Sequence, residues 1–146
     1  MVNRIFLCTT ILLFFAACDK EKRRYQKCQG DWIITQYRHT DADTTFDLTE
    51  IGYSGGYSFD QTCDGSLGTC NGNRFLTEPD SLGGSTAETD FQYHFSSDGQ
   101  EMEIEYDIAG FWTETEIWEV RELTKNLIVL EFENSDYSLK ITLESE

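Results

Sequence analysis

Beyond Cys28, apolar and polar residues alternate with a period of two, which predicts strands and no long helix. The clearest case is 89–96, TDFQYHFS, which sets Phe91, Tyr93 and Phe95 on one face. Asp98-Gly99 then predicts a hairpin turn. The return segment, 100–108, puts Met102, Ile104, Tyr106 and Ile108 on one face and Glu101, Glu103, Glu105 and Asp107 on the other. Further strands are predicted at 31–39, 55–62, 73–78, 111–123, 127–133 and 137–144, and the polar stretch 39–52 reads as a loop with at most one short element. Sequential antiparallel strands with one greasy face form a meander, and eight of them can close on themselves and remove both exposed edges. The predicted fold is therefore all-β, an eight-stranded antiparallel up-and-down barrel. Such a barrel is either filled by its own side chains or holds one small ligand.

The start of the chain follows another rule. Asn3 and Arg4 precede thirteen uncharged residues, Ile5 to Ala17, too few for a membrane-spanning helix and suited to a secretory signal. Cys18 follows Ala16 and Ala17 directly. This junction resembles the lipobox of bacterial lipoproteins, in which the Cys is acylated and becomes the first mature residue; Phe15 stands where Leu is usual. The resemblance implies a signal peptide at 1–17, membrane lipid attached through Cys18, and a cell-envelope location on a bacterial membrane, the outer rather than the inner. Acyl chains contribute about 0.8 kcal/mol per buried CH2, and stable anchoring takes more than one chain. Residues 18–29 then read as a lipidated Cys and a basic tether, suited to anionic head groups or simply solvated, before a barrel domain at 30–146.

Charge sharpens the contrast. The chain has 11 Lys and Arg against 27 Asp and Glu. Five of the bases fall in 19–27 with two of the acids, so 25 acids remain against the five bases Arg38, Arg74, Arg121, Lys125 and Lys140. A domain this acidic lacks the Lys and Arg clusters that phosphate backbones require, so nucleic acid is not an expected partner. A basic protein is a possible one.

Among the cysteines, Cys63 and Cys70 flank the flexible stretch DGSLGT, and in an oxidising compartment they are expected to pair. Cys28 is left free or competing for a partner. No nucleophile–base pair, metal-ligand spacing or cofactor motif emerges, so no enzyme, no cofactor and no metal site is expected. His39, Asp41 and Asp43 alternate as possible ligands but lack the glycine and closing Glu of a calcium loop. His94 reads as a surface residue.

One stretch resists the pattern. In WTETEIWEV, residues Trp112, Glu114, Glu116, Trp118 and Val120 share one parity. If Trp118 and Val120 face the core, both glutamates do too, and burying unpaired carboxylates costs several kcal/mol each. The preferred resolution is a bulge near Thr115 that switches faces, or an exposed strand end. The other is a barrel mouth lined by glutamate, giving a candidate ligand site of Tyr37, Tyr93, Tyr106, Trp112 and Trp118 with Glu116 at the rim, suited to an amphiphile with a polar or cationic end.

Gly30-Asp31-Trp32 at the head of the first strand resembles the Gly-x-Trp of lipocalins. The closing segments Trp118-Glu119-Val120, NLIVLE and YSLKITLES are similar to lipocalin-like lipoproteins of the Bacteroidota type, over residues 28 to 144. The resemblance implies a calycin-type barrel, with Gly30 and Trp32 structural and the Trp packed across the closed end. It favours a membrane-anchored binding lipoprotein for a small apolar or amphiphilic ligand. The alternatives are an acidic module that binds a basic protein, as lysozyme-inhibiting lipoproteins do, and a barrel packed solid as a scaffold.

Overall fold

The computed structural model describes residues 22–66, 68–108 and 112–146, with the side chains of Asp107, Ile108 and Trp112 left aside. The stretch read as a signal peptide, 1–17, and Cys18 lie outside the described residues. Nine strands follow one another: β1 Gly30–Asp41, β2 Thr45–Asp47, β3 Ser54–Phe59, β4 Cys70–Thr77, β5 Thr86–Phe95, β6 Glu101–Ile108, β7 Trp112–Leu123, β8 Leu127–Glu133 and β9 Tyr137–Ser145. Each pairs antiparallel with the next along the chain from β3 onward, and β1 pairs with β9, which closes the ring. β2 and β3 share one flank of β1, β2 on residues 38–40 and β3 on residues 30–33. They act as one strand interrupted by the excursion 48–53, so the nine segments make an eight-stranded barrel.

Two irregularities set which side chains face inward. In β1 the register against β9 shifts between Ile34 and Gln36. Trp32 and Ile34 point in before the shift, and Tyr37 and His39 share the face of buried Leu139 and Ile141 after it. In β7 the shift lies between Val120 and Glu122. It lets Leu123 rejoin the core. The expected bulge near Thr115 is absent: β7 pairs with β6 without interruption from Trp112 to Glu119. Glu114 and Glu116 therefore keep the inward parity of Trp118.

The segment read as a tether contains a helix at 22–28. Its Tyr25 and Cys28 are fully buried, so this end of the barrel is plugged by the chain's own N-terminal turn. The Gln29 amide donates to the Tyr25 carbonyl, Trp32 Nε1 donates to the Cys28 carbonyl at 2.7 Å, and Gly30, at φ 108°, turns the chain into β1. Trp32 is thus buried beside the plug at the closed end. Among the described residues the core is aromatic to an unusual degree, with Tyr25, Trp32, Tyr57, Phe59, Phe91, Tyr93, Phe95, Tyr106 and Trp118 all buried. Contiguous burial of rings that each cover 150–250 Å2 is the main stabilising influence.

Candidate functional site

The open end of the barrel is reached by the segments 42–44, 48–53, 78–85 and 134–136. Below this rim a row of rings descends one wall. Phe46 stacks on His39 with centroids 4.9 Å apart, and His39 stacks on Tyr137 at 5.2 Å. Tyr137 then meets Phe132, and Phe132 meets Trp118 at 5.5 Å. Cross-strand pairing explains the row: β2, β1, β9, β8 and β7 are neighbours in order, and each contributes the ring at its upper inward position. His39 Nδ1 is buried in this row without a hydrogen-bond partner.

The facing wall carries a polar chain. Arg74 points inward from β4 and lies over the Tyr106 ring, its guanidinium carbon 4.6 Å from the centroid. Its Nη1 donates to the Tyr106 hydroxyl at 3.4 Å, and it is hydrogen-bonded to Tyr57. The Tyr106 hydroxyl in turn is hydrogen-bonded to Glu116, and Trp118 Nε1 donates to Glu116 Oε2 at 2.9 Å. The inward glutamate is thus satisfied from both sides. It faces Ile104 across the β6–β7 ladder and stands one position above Trp118. Glu114, nearer the rim, is exposed.

The guanidinium and the phenols of this wall hold their protons firmly. Burial lowers the Arg74 pKa, but Tyr57, Tyr106 and Glu116 outweigh it and keep the guanidinium above its usual range. Burial first, then the Tyr57 and Glu116 neighbours, pushes Tyr37 up to about 12. Tyr57 and Tyr106 are raised by burial as well. At neutral pH the wall presents a cation and neutral phenols: hydrogen-bond donors, with Glu116 as the acceptor among them.

The sequence-singled residues divide accordingly. Tyr37, Tyr106, Glu116 and Trp118 come together near the mouth. Trp112 begins β7, but its side chain lies outside the described residues. Tyr93 belongs to the closed end: it is buried against Phe59, Phe95 and Tyr25, and its hydroxyl is 3.6 Å from the Cys28 sulfur. Arg74, Tyr57, His39, Phe46 and Phe132 complete the site without being predicted for it. For Arg74 the available signal is its parity with Cys70, Gly72 and Leu76, which leaves Phe75 outside, 39% exposed. Asp41 caps a turn, accepting from the Asp43 and Thr44 amides, so its carboxylate is engaged within HTDAD. His94 faces outward, 3.6 Å from Glu103. Cys63 and Cys70 form a disulfide, and Cys28 is a buried free thiol pushed up to about 12 by desolvation.

An external groove of about 630 Å3 runs over β7, β8, β9 and β1, lined by Arg38, Ile117, Arg121, Glu131 and Lys140 among others. Four of its charges, on Glu119, Arg121, Glu131 and Lys140, are spent on one another. Glu131 accepts from both Arg121 and Lys140, and Arg121 also reaches Glu119. Exposed pairs of this kind hold local geometry and contribute little else.

No protein-family model matches the chain, and no curated protein does. In fold it is similar to a lipocalin-like protein from Bacteroides uniformis, with 16% identity and a TM-score of 0.52 over 82% of this chain and 99% of that one. It is equally similar to a redesigned beta barrel, again at 16% identity and a TM-score of 0.52, over 85% of this chain and 96% of the other. The fold is lipocalin-like.

Proposed function

We propose that this lipocalin-like barrel is a lipid-anchored, non-catalytic binding protein of the bacterial cell envelope. Its ligand is a small amphiphile taken at the mouth, with the apolar body against the ring wall and the polar head among Arg74, Tyr106 and Glu116. The observation that carries this reading is the chain Arg74–Tyr106–Glu116–Trp118, set inside an otherwise largely apolar barrel. A purely structural interior has no need of a guanidinium, whose desolvation costs several kcal/mol. Ligand sites are typically apolar with a few converging polar groups. The anchor rests on the Cys18 junction and its Ala16-Ala17 approach.

The test is a titration of the protein with three amphiphiles of one chain length bearing carboxylate, alcohol or ammonium heads, read by tryptophan emission. Saturable binding that changes in Glu116→Gln and Arg74→Met supports the reading. Unchanged emission with all three contradicts it. A second reading is favoured by one feature: the rim segments carry Asp43, Glu50, Glu78, Asp80 and Asp136 and no Lys or Arg. A basic protein could dock there, and that binding should weaken with salt.

A further inference from the structure

The helix at 22–28 is fastened to the closed end by three basic residues, each reaching a different loop. Lys22 Nζ pairs with Asp64 in the β3–β4 loop at 3.1 Å. Arg24 donates to the Asp98 carbonyl in the β5–β6 turn. Lys27 Nζ donates to the Leu123 carbonyl at the end of β7, at 3.2 Å. Two loop glycines admit this approach. A Cβ on Gly65, at φ +77°, would collide with the Tyr25 ring, and one on Gly99, at φ +66°, would collide with the Arg24 guanidinium. The bases read from sequence as a tether, suited to head groups or simply solvated, are thus spent largely on the barrel itself.

From this docking, and resting on the lipid anchor proposed above, we infer that the barrel stands with its plugged end toward an anionic bilayer and its mouth directed away. Cys18 is four residues from Lys22, a reach of at most about 14 Å. β5, with 10 residues, spans about 25 Å along a barrel axis tilted in the usual way. A mouth-down arrangement would need Cys18 to travel the length of the barrel, which its reach forbids. Charge agrees. The rim is acidic without a base, whereas the plugged end sets Lys22, Arg23, Arg24, Lys27 and Lys125 against Asp60, Asp64, Asp98 and Glu146. An anionic surface repels the first and tolerates the second. Ligand would then enter from the aqueous side and not laterally from the membrane.

The experiment uses the acylated protein in vesicles of phosphatidylcholine with a minor fraction of phosphatidylglycerol and a head-group quencher. A fluorophore is attached through Lys125→Cys, beside the plug, or Ser135→Cys, at the mouth; both positions are exposed. Quenching several-fold stronger at 125 than at 135 is expected. Equal quenching, or stronger quenching at 135, in protein that floats with the vesicles at high salt overturns the orientation and leaves the anchor standing. Failure to float overturns the anchor and the orientation with it.

Discussion

Tyr25 and Phe95 hold each other twice: their rings meet edge to face with centroids 5.0 Å apart, and the Phe95 amide donates to the Tyr25 hydroxyl at 3.1 Å. One residue of the N-terminal helix thereby caps a backbone donor of β5 and fills the bottom of the barrel. Removing the ring and hydroxyl together in Tyr25→Ala should cost about 3–5 kcal/mol in urea unfolding. Tyr25→Phe keeps the ring and leaves the buried amide without its acceptor, for about 1–3 kcal/mol. Wild-type stability in Tyr25→Ala would mean that the helix is not part of the folded unit.

Cys28 reports on the same plug. Buried and pushed up to about 12, its thiol should resist alkylation in the native protein at pH 8 and react at the rate of plug opening. Between the unfolded value of 9.0 and about 12, only the unfolded chain gives up this proton. Stability from Cys28 is thus complete below pH 9 and declines as pH rises, by at most about 1.4 kcal/mol per pH unit. The Cys28→Ser variant should show a shallower alkaline decline.

On the acid side the sign reverses. The Ser66 hydroxyl and amide, and then Lys22, hold Asp64 down to about 2 from 3.8. Its contribution is present above about pH 4 and is lost as pH falls toward 2. Asp60 and Asp98, at the same end, are also lowered by their turn hydrogen bonds. Melting curves should fall more steeply between pH 4 and 2 for wild type than for Asp64→Asn.

The Cys63–Cys70 bridge closes a loop of sequence separation 7 whose Gly65 packs on Tyr25. Reduction should cost about 2.5 kcal/mol by loop entropy. It should also raise the alkylation rate of Cys28, since the freed loop no longer supports Tyr25. An unchanged rate would separate the bridge from the plug.

The barrel is legible in the sequence because its signal is repeated: Phe91/Tyr93/Phe95, Met102/Ile104/Tyr106 and Leu139/Ile141/Leu143 each declare one face, and no single residue decides the fold. The helix at 22–28 is hidden because only Tyr25 and Cys28 face inward, at i and i+3, while its four bases look like a solvated linker. Tyr37 faces inward only because the register shifts between Ile34 and Gln36, which the sequence pattern does not announce. Glu116 reads as a problem because one of its partners, the Trp118 indole N–H, is hidden inside an apolar-looking ring two residues on, and the other, Tyr106, comes from the neighbouring strand. Arg74 itself is obscured by Phe75, since the apolar ring points out and the charge points in, against the usual sorting. Tyr93 shares the strand and parity of Phe91, and only its depth along the barrel separates it from the residues near the mouth.

Native mass spectrometry of the protein released from its own membranes tests the central claim most directly. Wild type should carry a small amphiphile as a discrete added mass, and Arg74→Met should arrive without it while keeping its fold. Wild type and variant both at the bare polypeptide-plus-lipid mass, with no amphiphile restored on addition, would contradict a ligand at the mouth and favour a barrel filled by its own rings.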